Sequence, residues 1–214
     1  FRFSTDRSWV RDSGPTFVTE EAQLSAVCWQ FNAWARYSNW KRDRRLNRKI
    51  AQAANAVVRK ATWHSGSVVL EGGSIDVNGL GTLLTTEECL LAGGQSRNRG
   101  ATREDYEQLF AQYLGIQKVL WLGQGIAGDD TGGHVDDIAR FVGPHTVVIA
   151  VEKNQKDANY RALKDNLEKL RMSTDQGGRC LEVVEVPMPR PLFFDGCRLP
   201  ASYTNFYIAN KVVL

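Results

Sequence analysis

The sequence has 214 residues, 43% of them hydrophobic and 10% aromatic, which is enough to build a buried core. Its 27 Lys and Arg against 24 Asp and Glu leave a net charge of only +3, which excludes the one-sided charge that by itself indicates a nucleic-acid partner. No apolar run reaches the ~18 residues of a membrane span, and the four cysteines form no Cys-x-x-Cys pair. We therefore expect a cytoplasmic globular protein with neither a nucleic-acid nor a membrane partner.

Hairpins are the first predicted elements that recur along the chain. Apolar runs separated by turn residues predict them at residues 16–31, 74–86 and 138–151, and a fourth begins at residues 203–208. Asn78-Gly79-Leu80-Gly81 supplies a turn in the second hairpin, and Gly143-Pro144-His145 supplies one in the third.

A helix and then a short strand follow each complete hairpin. Apolar spacings of three and four predict the helices at residues 39–58, 102–114 and 157–171. The strands after them are expected at residues 67–70, 117–122 and 181–186. The unit of hairpin, helix and strand recurs about every 60 to 67 residues, so the chain holds about three and a half copies. We expect residues 1–214 to form a single, incomplete α/β domain.

The polar residues that stand out share one position in this repeat, because all of them precede or open a hairpin. They are Asp12, Glu71, His134 with Asp136, and Ser202 with Asn205. If the repeats surround a pseudo-symmetry axis, equivalent positions converge near that axis. The repeat therefore predicts one central pocket.

Two short motifs have both a structural and a functional interpretation. Residues 9–15 contain Asp-Ser-Gly-Pro, which is typical of a turn, but Asp12 could instead bind a planar cation while Trp9 presents its ring face to it. Glu71 ends an apolar strand before Gly72-Gly73, as in an ordinary turn. Its functional alternative is to accept a hydrogen bond from an imidazole and hold its tautomer.

The stretch from residue 128 to 137 is the richest in chemistry, with four carboxylates and one of only three histidines. A solvated acidic loop, a substrate site and a metal site built on Asp129, Asp130, His134 and Asp136 are all compatible with it. If this stretch enters the core as a strand, His134 and Asp136 point to the same face.

Two further segments carry weaker signals. Residues 199–205, which include Ser202 and Asn205, gain weight only from their place in the repeat. The basic run at residues 36–49 lies on a predicted helix, so a solvated face is expected there rather than a nucleic-acid patch.

Six ordered motifs span nearly the whole chain. They are Trp-x-Arg-Asp-x-Gly-Pro at residues 9–15, Phe-Asn-Ala-Trp at 31–34, Leu-Glu-Gly-Gly-Ser at 70–74, Thr-Glu-Glu-Cys-Leu-Leu at 86–91, Gly-His-Val-Asp at 133–136, and Ala-Ser-Tyr through Asn at 201–210. Together they resemble the agmatine deiminase and bacterial peptidylarginine deiminase family. This resemblance implies the pentein fold, a five-bladed α/β propeller of pseudo-symmetric ββαβ repeats, of which about three and a half blades are expected here.

The resemblance also implies roles for individual residues. Asp12 and Asp136 would clamp a guanidinium group, and Glu71 would support His134 as the general acid and base. Trp9 would pack on the substrate, and Asn205 would line the site.

By the same resemblance, the nucleophilic cysteine is expected in a Gly-rich segment after residue 214, and a first blade is expected upstream. None of Cys28, Cys89, Cys180 and Cys197 has the sequence context of that nucleophile. Gly132, where the family often has Asn or His, and Arg99, where Pro is common, depart from the family pattern.

The implied reaction is hydrolysis of agmatine to N-carbamoylputrescine and ammonia through a cysteine-bound thiouronium intermediate. The alternatives are an arginine or peptidylarginine deiminase that gives citrulline, and a non-catalytic guanidinium-binding protein. The expected partner is a small guanidinium substrate, with no metal or organic cofactor, and a homodimer is expected because family members often dimerise.

Overall fold

Three copies of the predicted hairpin, helix and strand are present in the computed structural model, which describes residues 1–64, 66–209 and 211–214. The α-helices are α1 (Val10–Ser13), α2 (Leu46–Ala53), α3 (Glu87–Leu91), α4 (Arg103–Leu114) and α5 (Tyr160–Arg171). The strands are β1 (Thr16–Glu20), β2 (Gln23–Cys28), β3 (Val57–Lys60), β4 (Thr62–Trp63), β5 (Gly66–Ser67), β6 (Asp76–Val77), β7 (Thr82–Thr86), β8 (Lys118–Leu122), β9 (Ala139–Phe141), β10 (Thr146–Val151), β11 (Glu182–Pro187), β12 (Phe193–Phe194) and β13 (Cys197–Arg198).

Three three-stranded sheets share one topology, with the orders β1-β2-β3, β6-β7-β8 and β9-β10-β11. In each sheet the first two strands pair antiparallel as a hairpin, and the third strand pairs parallel with the second. A parallel pair needs a long crossover, and a helix lies in the chain between the second and third strands of every repeat. The predicted α/β organisation in ββαβ repeats is confirmed.

The first repeat is shorter than predicted. The helix expected at residues 39–58 is only α2, preceded by a 3-10 turn at Asp43–Arg45, and the chain then enters β3. Asn55 takes a left-handed conformation (φ 51°) after the helix, and the β-branched Val57 and Val58 favour a strand. The third strand of this repeat is therefore β3. The predicted strand at residues 67–70 is reduced to the end of β5 and one parallel bridge between Val69 and Gln30.

The fourth hairpin begins later than predicted. Residues 203–206 form no strand, and antiparallel pairing starts at Tyr207, which exchanges two backbone hydrogen bonds with Leu214, while Ile208 bridges Val213. The polar side chains of this segment instead bond to the loop before β9. The last residue of the sixth motif, Asn210, lies outside the described residues.

The chain forms two compact units. The first comprises Phe1–Gly73 and Gly93–Gly115, and the second comprises Ser74–Ala92 and Ile116–Leu214. The expectation of a single domain stays a prediction. In the described part of the chain, no helix is both long and apolar enough to cross a membrane.

An aromatic contact joins the sheet of the first unit to α4. The buried Trp29 donates from Nε1 to Thr16 Oγ1 (2.9 Å), and its ring meets the edge of Tyr113 at 5.8 Å. Tyr113 accepts a hydrogen bond from the Thr62 backbone N–H (3.0 Å). Tyr113 of α4 thereby contacts both Trp29, which directly follows β2, and Thr62, which begins β4.

A larger apolar core holds the second unit together. Its buried residues come from β7 to β10 and α5, and they include Leu84, Leu122, Ile138, Ile149, Leu163 and Leu170. The strongly apolar β10 (Thr-Val-Val-Ile-Ala-Val) lies between β9 and β11, as expected for a strand that is buried on both faces.

Stability should depend measurably on the start of α4, which has a reciprocal capping box. Thr102 Oγ1 accepts from the Asp105 N–H, and Asp105 accepts from the Thr102 N–H. Thr102→Ala removes one acceptor and should lower the free energy of unfolding by about 1 kcal/mol in urea titration. Thr102→Ser keeps the hydroxyl and should stay within about 0.5 kcal/mol. An equal loss in both variants would contradict the role of the cap.

Candidate active site

The Asp12 carboxylate is buried and held by donors that are distant in sequence. Asp12 lies in α1, and its Oδ1 accepts from the Gly73 backbone N–H (2.9 Å). Its Oδ2 accepts from Trp34 Nε1 (3.0 Å), and Trp34 is itself buried. Two donors on separate oxygens fix the plane of the carboxylate. The structure thus brings the motifs at residues 9–15, 31–34 and 70–74 together.

Gly72 explains how the first and third of these motifs approach so closely. A Cβ atom at position 72 would collide with the backbone carbonyl oxygen of Arg11, one residue before Asp12. Only glycine lets the two backbones meet at this distance, so Gly72 brings the Gly73 N–H within reach of Asp12.

Glu71 forms an ion pair with Arg97, a contact that the sequence analysis did not predict. Arg97 Nε donates to both carboxylate oxygens at 3.2 Å, and both side chains are completely buried. Arg97 also donates to the carbonyl of Gln95 (2.9 Å). The neighbouring Asn98 bonds both backbone groups of Val69, which ties this loop to the segment that carries Glu71.

Trp9, immediately before α1, is 61% exposed, so its ring is accessible to a ligand. Its carbonyl accepts from the Ser13 hydroxyl (3.0 Å), which connects the position of Trp9 to α1. The Arg7 guanidinium lies 5.5 Å from the centroid of the Trp34 ring, and Trp34 is the residue that donates to Asp12. The beginning of the chain therefore contributes to the surroundings of Asp12.

In the second unit, Asp129 shapes the loop that leads to His134. Its Oδ1 accepts from the backbone N–H and the hydroxyl of Thr131 (2.7 and 2.6 Å). Its Oδ2 accepts from the N–H groups of Gly133 and His134 (2.8 and 3.1 Å). The acidic loop is therefore built around one carboxylate that bonds its own backbone.

His134 and Asp136 lie before the strand β9, which begins at Ala139, close to the predicted start at residue 138. His134 precedes a 3-10 turn at Val135–Asp137, and Asp136 lies within it. Both side chains are buried, and His134 Nδ1 lies 3.9 Å from Asp136 Oδ1. The turn, and not a strand, therefore brings the two side chains close together.

Residues of the fourth motif support the loop that leads to His134 by direct hydrogen bonds. Thr86 caps α3 by accepting from the Cys89 N–H (3.1 Å), and its hydroxyl donates to the Gly133 carbonyl (2.5 Å). Glu88 Oε2 accepts from the Gly125 N–H (2.6 Å). The buried Cys89 places its sulfur within 4.8 Å of a ring nitrogen of His134.

Glycines make this support close-packed. A Cβ atom at Gly125 would lie 2.5 Å from the Cα of Gly133. Gly133 has φ of +93°, and a Cβ there would lie 2.9 Å from Glu88 Oε2. The loop before His134 thus rests on direct backbone contact.

Asn205 reaches this site through Asp137. Its Nδ2 donates to Asp137 Oδ1 (2.8 Å), while Thr204 donates to the Asp136 carbonyl (3.1 Å). Burial, together with the charges of Asp136 and Asp129, raises the pKa of Asp137 to about 7, although Asn205 and His134 oppose the shift. Asp137 is one of the four carboxylates at residues 128–137, but no sequence signal separates its role from that of the others.

A second buried ion pair anchors the segment that carries Asn205. Arg140 Nε donates to Asp76 Oδ1 (2.9 Å), and Arg140 Nη1 donates to the Phe206 carbonyl (2.6 Å). Asp76 Oδ2 accepts from the Phe141 N–H (2.6 Å). Burial raises the pKa of Asp76, against the opposing effect of the Arg140 charge. Arg140 of β9 thereby links the segment that carries Asn205 to Asp76.

The proposed metal set is not assembled in the part of the chain that the structure describes. Asp129, Asp130 and Asp136 do not join His134 in a compact group of ligand atoms. Asp129 is occupied by its own backbone, as described above.

The fold and the buried carboxylates together define an α/β protein of ββαβ repeats with fixed anionic groups and a buried histidine. The family model of the Porphyromonas-type peptidyl-arginine deiminases matches residues 1–214. The chain therefore belongs to this family.

Known proteins are similar to this chain over almost all of its length. The agmatine deiminase of Pseudomonas aeruginosa (strain LESB58) is 38% identical over 99% of the chain. A solved agmatine deiminase of Enterococcus faecalis has a TM-score of 0.88 and 36% identity over 99% of it. A cysteine-to-serine variant of C. jejuni agmatine deiminase with substrate bound has a TM-score of 0.87 and 31% identity over the whole chain.

The chain spans less than two thirds of these relatives. It covers 58% of a candidate agmatine deiminase from Legionella pneumophila (strain Paris), 62% of the P. aeruginosa and E. faecalis proteins, and 61% of the C. jejuni protein.

Breaking the buried pair of Glu71 should be far more costly than breaking an exposed one. Arg97→Met leaves a buried carboxylate without its arginine, so we expect a loss of about 3–5 kcal/mol in the free energy of unfolding. The matched control is Arg59→Met, which breaks the exposed pair with Glu20 and should cost less than about 1 kcal/mol. Urea titration measures both, and similar losses would refute the importance of burial.

The pH dependence of stability should report Asp137. Because its folded-state pKa, about 7, lies above its usual 3.8, its contribution to stability is complete below pH ~4 and is lost as pH rises through 7. Asp137→Asn cannot ionise, so its unfolding free energy should fall less between pH 5 and 8 than that of the parent. Asp165→Asn, on the exposed face of α5, should follow the parent. Parallel profiles for all three would exclude the raised pKa.

Proposed function

We propose that the longer protein to which these residues belong hydrolyses the guanidinium C–N bond of agmatine, giving N-carbamoylputrescine and ammonia. The observation that carries the proposal is the buried Asp12 carboxylate, whose two oxygens are oriented by Gly73 and Trp34. A fixed, planar anion suits a planar cation that donates two parallel hydrogen bonds. The agmatine deiminases among the relatives support this substrate.

The remaining roles follow the family resemblance. Asp136, buried beside His134, is the second proposed carboxylate for the guanidinium. Glu71 is proposed to orient the His134 imidazole. A carboxylate can accept about four hydrogen bonds, so the bonds from Arg97 are compatible with an additional imidazole donor. Trp9 is proposed to pack on the substrate, and Asn205 acts at the site through its contact with Asp137.

The proposed chemistry proceeds in two steps. A cysteine thiolate attacks the guanidinium carbon, and His134 protonates the departing nitrogen, so that ammonia leaves and a thiouronium remains. His134 then takes a proton from water, which attacks the same carbon. The hydroxyl proton of the adduct passes to solvent as the C–S bond breaks, which releases the ureido product and the thiolate. No metal or organic cofactor takes part in these steps.

The nucleophile is proposed to lie in the part of the longer protein outside these 214 residues. Within this chain, Cys28 and Cys89 are buried, and burial raises the pKa of the Cys28 thiol, which disfavours a thiolate. Cys180 and Cys197 are exposed, and both lie far in sequence from Asp12, Glu71, His134 and Asp136.

Peptidylarginine is the second candidate substrate, because the matching family model carries that name. The same guanidinium chemistry would give citrulline from arginine or its peptides. A comparison of kcat/KM for agmatine, free arginine and a short arginine peptide distinguishes these substrates. We expect agmatine to have the highest value, and the proposal would be overturned in favour of a citrulline-forming enzyme if the peptide exceeded it.

The catalytic proposal is tested on the full-length protein by ammonia release from agmatine. Removing the charge of a carboxylate that binds the guanidinium should lower kcat/KM by about a hundredfold or more, so we expect this loss for Asp136→Asn. Asp165→Asn, far from any of the proposed site residues in sequence, should keep the parent value. Iodoacetamide should abolish turnover and EDTA should leave it unchanged. Loss with EDTA but not with iodoacetamide would indicate a metallohydrolase, and no turnover at all would indicate a guanidinium-binding protein.

A further inference from the structure

A basic surface cavity lies in the first unit. Its volume is about 470 Å³, within the range of ~300–1,000 Å³ typical of small-molecule sites, and most of the cations that line it are exposed to solvent. Its cationic lining consists of Arg44, Arg45, Arg48, Lys49 and Lys60. The basic run at residues 36–49 is therefore not only a solvated helix face, because four of these cations belong to it.

No carboxylate neutralises this lining. No Asp or Glu is among the residues that line the cavity, and among the described residues none of the five cations is within ion-pair distance of a carboxylate. The nearest acidic residue in sequence, Asp43, is buried and accepts from the backbone N–H groups of Asp6 and Arg7. Five like charges around one cavity repel each other, and an anion would relieve that repulsion.

Neighbouring elements bring these cations together. Arg44 and Arg45 lie in the 3-10 turn at Asp43–Arg45, which leads directly into α2, where Arg48 and Lys49 follow. Lys60 ends β3, where it pairs with Cys28 of β2.

The cavity wall supplies neutral donors but no anion of its own. Asn47 is buried and held in place, since its Nδ2 donates to the Trp29 carbonyl (2.5 Å). Gln30 and Ser67 also line the space. Burial raises the pKa of Cys28 more than the Arg48 charge lowers it, so this thiol stays protonated near neutral pH.

From these features we infer that the cavity binds a small, multiply charged anion that carries phosphate groups. Three arginines offer planar, paired donors that match phosphate oxygens, and the two lysines add point charges. A single carboxylate would leave most of the five charges unbalanced. The lining shares no residue with the proposed guanidinium site, and a cation such as agmatine has the wrong charge for it, so the inference does not depend on the proposed function.

The test uses inorganic tripolyphosphate, titrated into the full-length protein by isothermal calorimetry at low ionic strength. We expect saturable binding that weakens as salt is raised. Replacing Arg48→Gln together with Lys60→Gln should weaken binding at least about tenfold, because each removed cation takes away charge-assisted hydrogen bonds. Arg45→Gln alone gives an independent second variant with a smaller loss in the same direction.

The matched control carries the same loss of charge outside the cavity. Arg36→Gln with Lys41→Gln lies on the same basic run, and both residues are exposed. This control should keep tripolyphosphate affinity within about twofold. Three results would overturn the inference: no binding to the full-length protein, an equal loss in the control and the cavity variants, or binding of a single-stranded oligonucleotide without any binding of tripolyphosphate. Agmatine in excess should not displace tripolyphosphate.

Discussion

Burying carboxylates is the constraint on which the rest of this structure depends. A carboxylate away from water is costly unless donors satisfy it, and here the donors come from loops that are remote in sequence. Asp12 takes one donor from residue 34 and another from residue 73, Glu71 is paired with Arg97, and Asp76 is paired with Arg140. Each of these acidic side chains therefore connects loops of one unit that are distant in sequence. The groups that suit a cationic substrate are the same groups that fix the loops.

The repeat was largely predictable, because it rests on local signals. Alternating apolar runs, turn residues and a capped helix are all encoded within a few residues, so two hairpins and α4 appear where the sequence places them. The errors arose where a local signal was ambiguous. Val57 and Val58 continue the apolar spacing of α2 but belong to β3. Residues 203–206 have strand composition, yet their side chains bond the loop at Asp136 and Asp137 instead of pairing as a hairpin.

The candidate site was predictable as a set of residue types but not as a set of contacts. Asp12, Glu71, His134 and Asp136 stand out in the sequence, and the structure shows that all four are buried. Their partners are less evident. Trp34 lies in one of the six motifs but had no predicted role, and Arg97 lies in none of them. The fold places these two residues against Asp12 and Glu71, which are 22 and 26 positions away in sequence. The signal that could have found them is the pairing rule itself, because each buried carboxylate requires a donor. Arg97, within an otherwise polar Gln-Ser-Arg-Asn stretch, was the available candidate.

The backbone contact between Gly125 and Gly133 limits how this site can diversify. A Cβ atom at Gly125 would overlap the backbone of Gly133, and a Cβ atom at Gly133, whose φ is positive, would press on the Glu88 side chain. The position of the loop before His134 therefore depends on both glycines. Residues that border open space, such as the exposed Trp9, are not under this constraint. A mutagenesis library should therefore keep both glycines constant and vary accessible positions, because substitution at the glycines would disrupt the loop that carries His134.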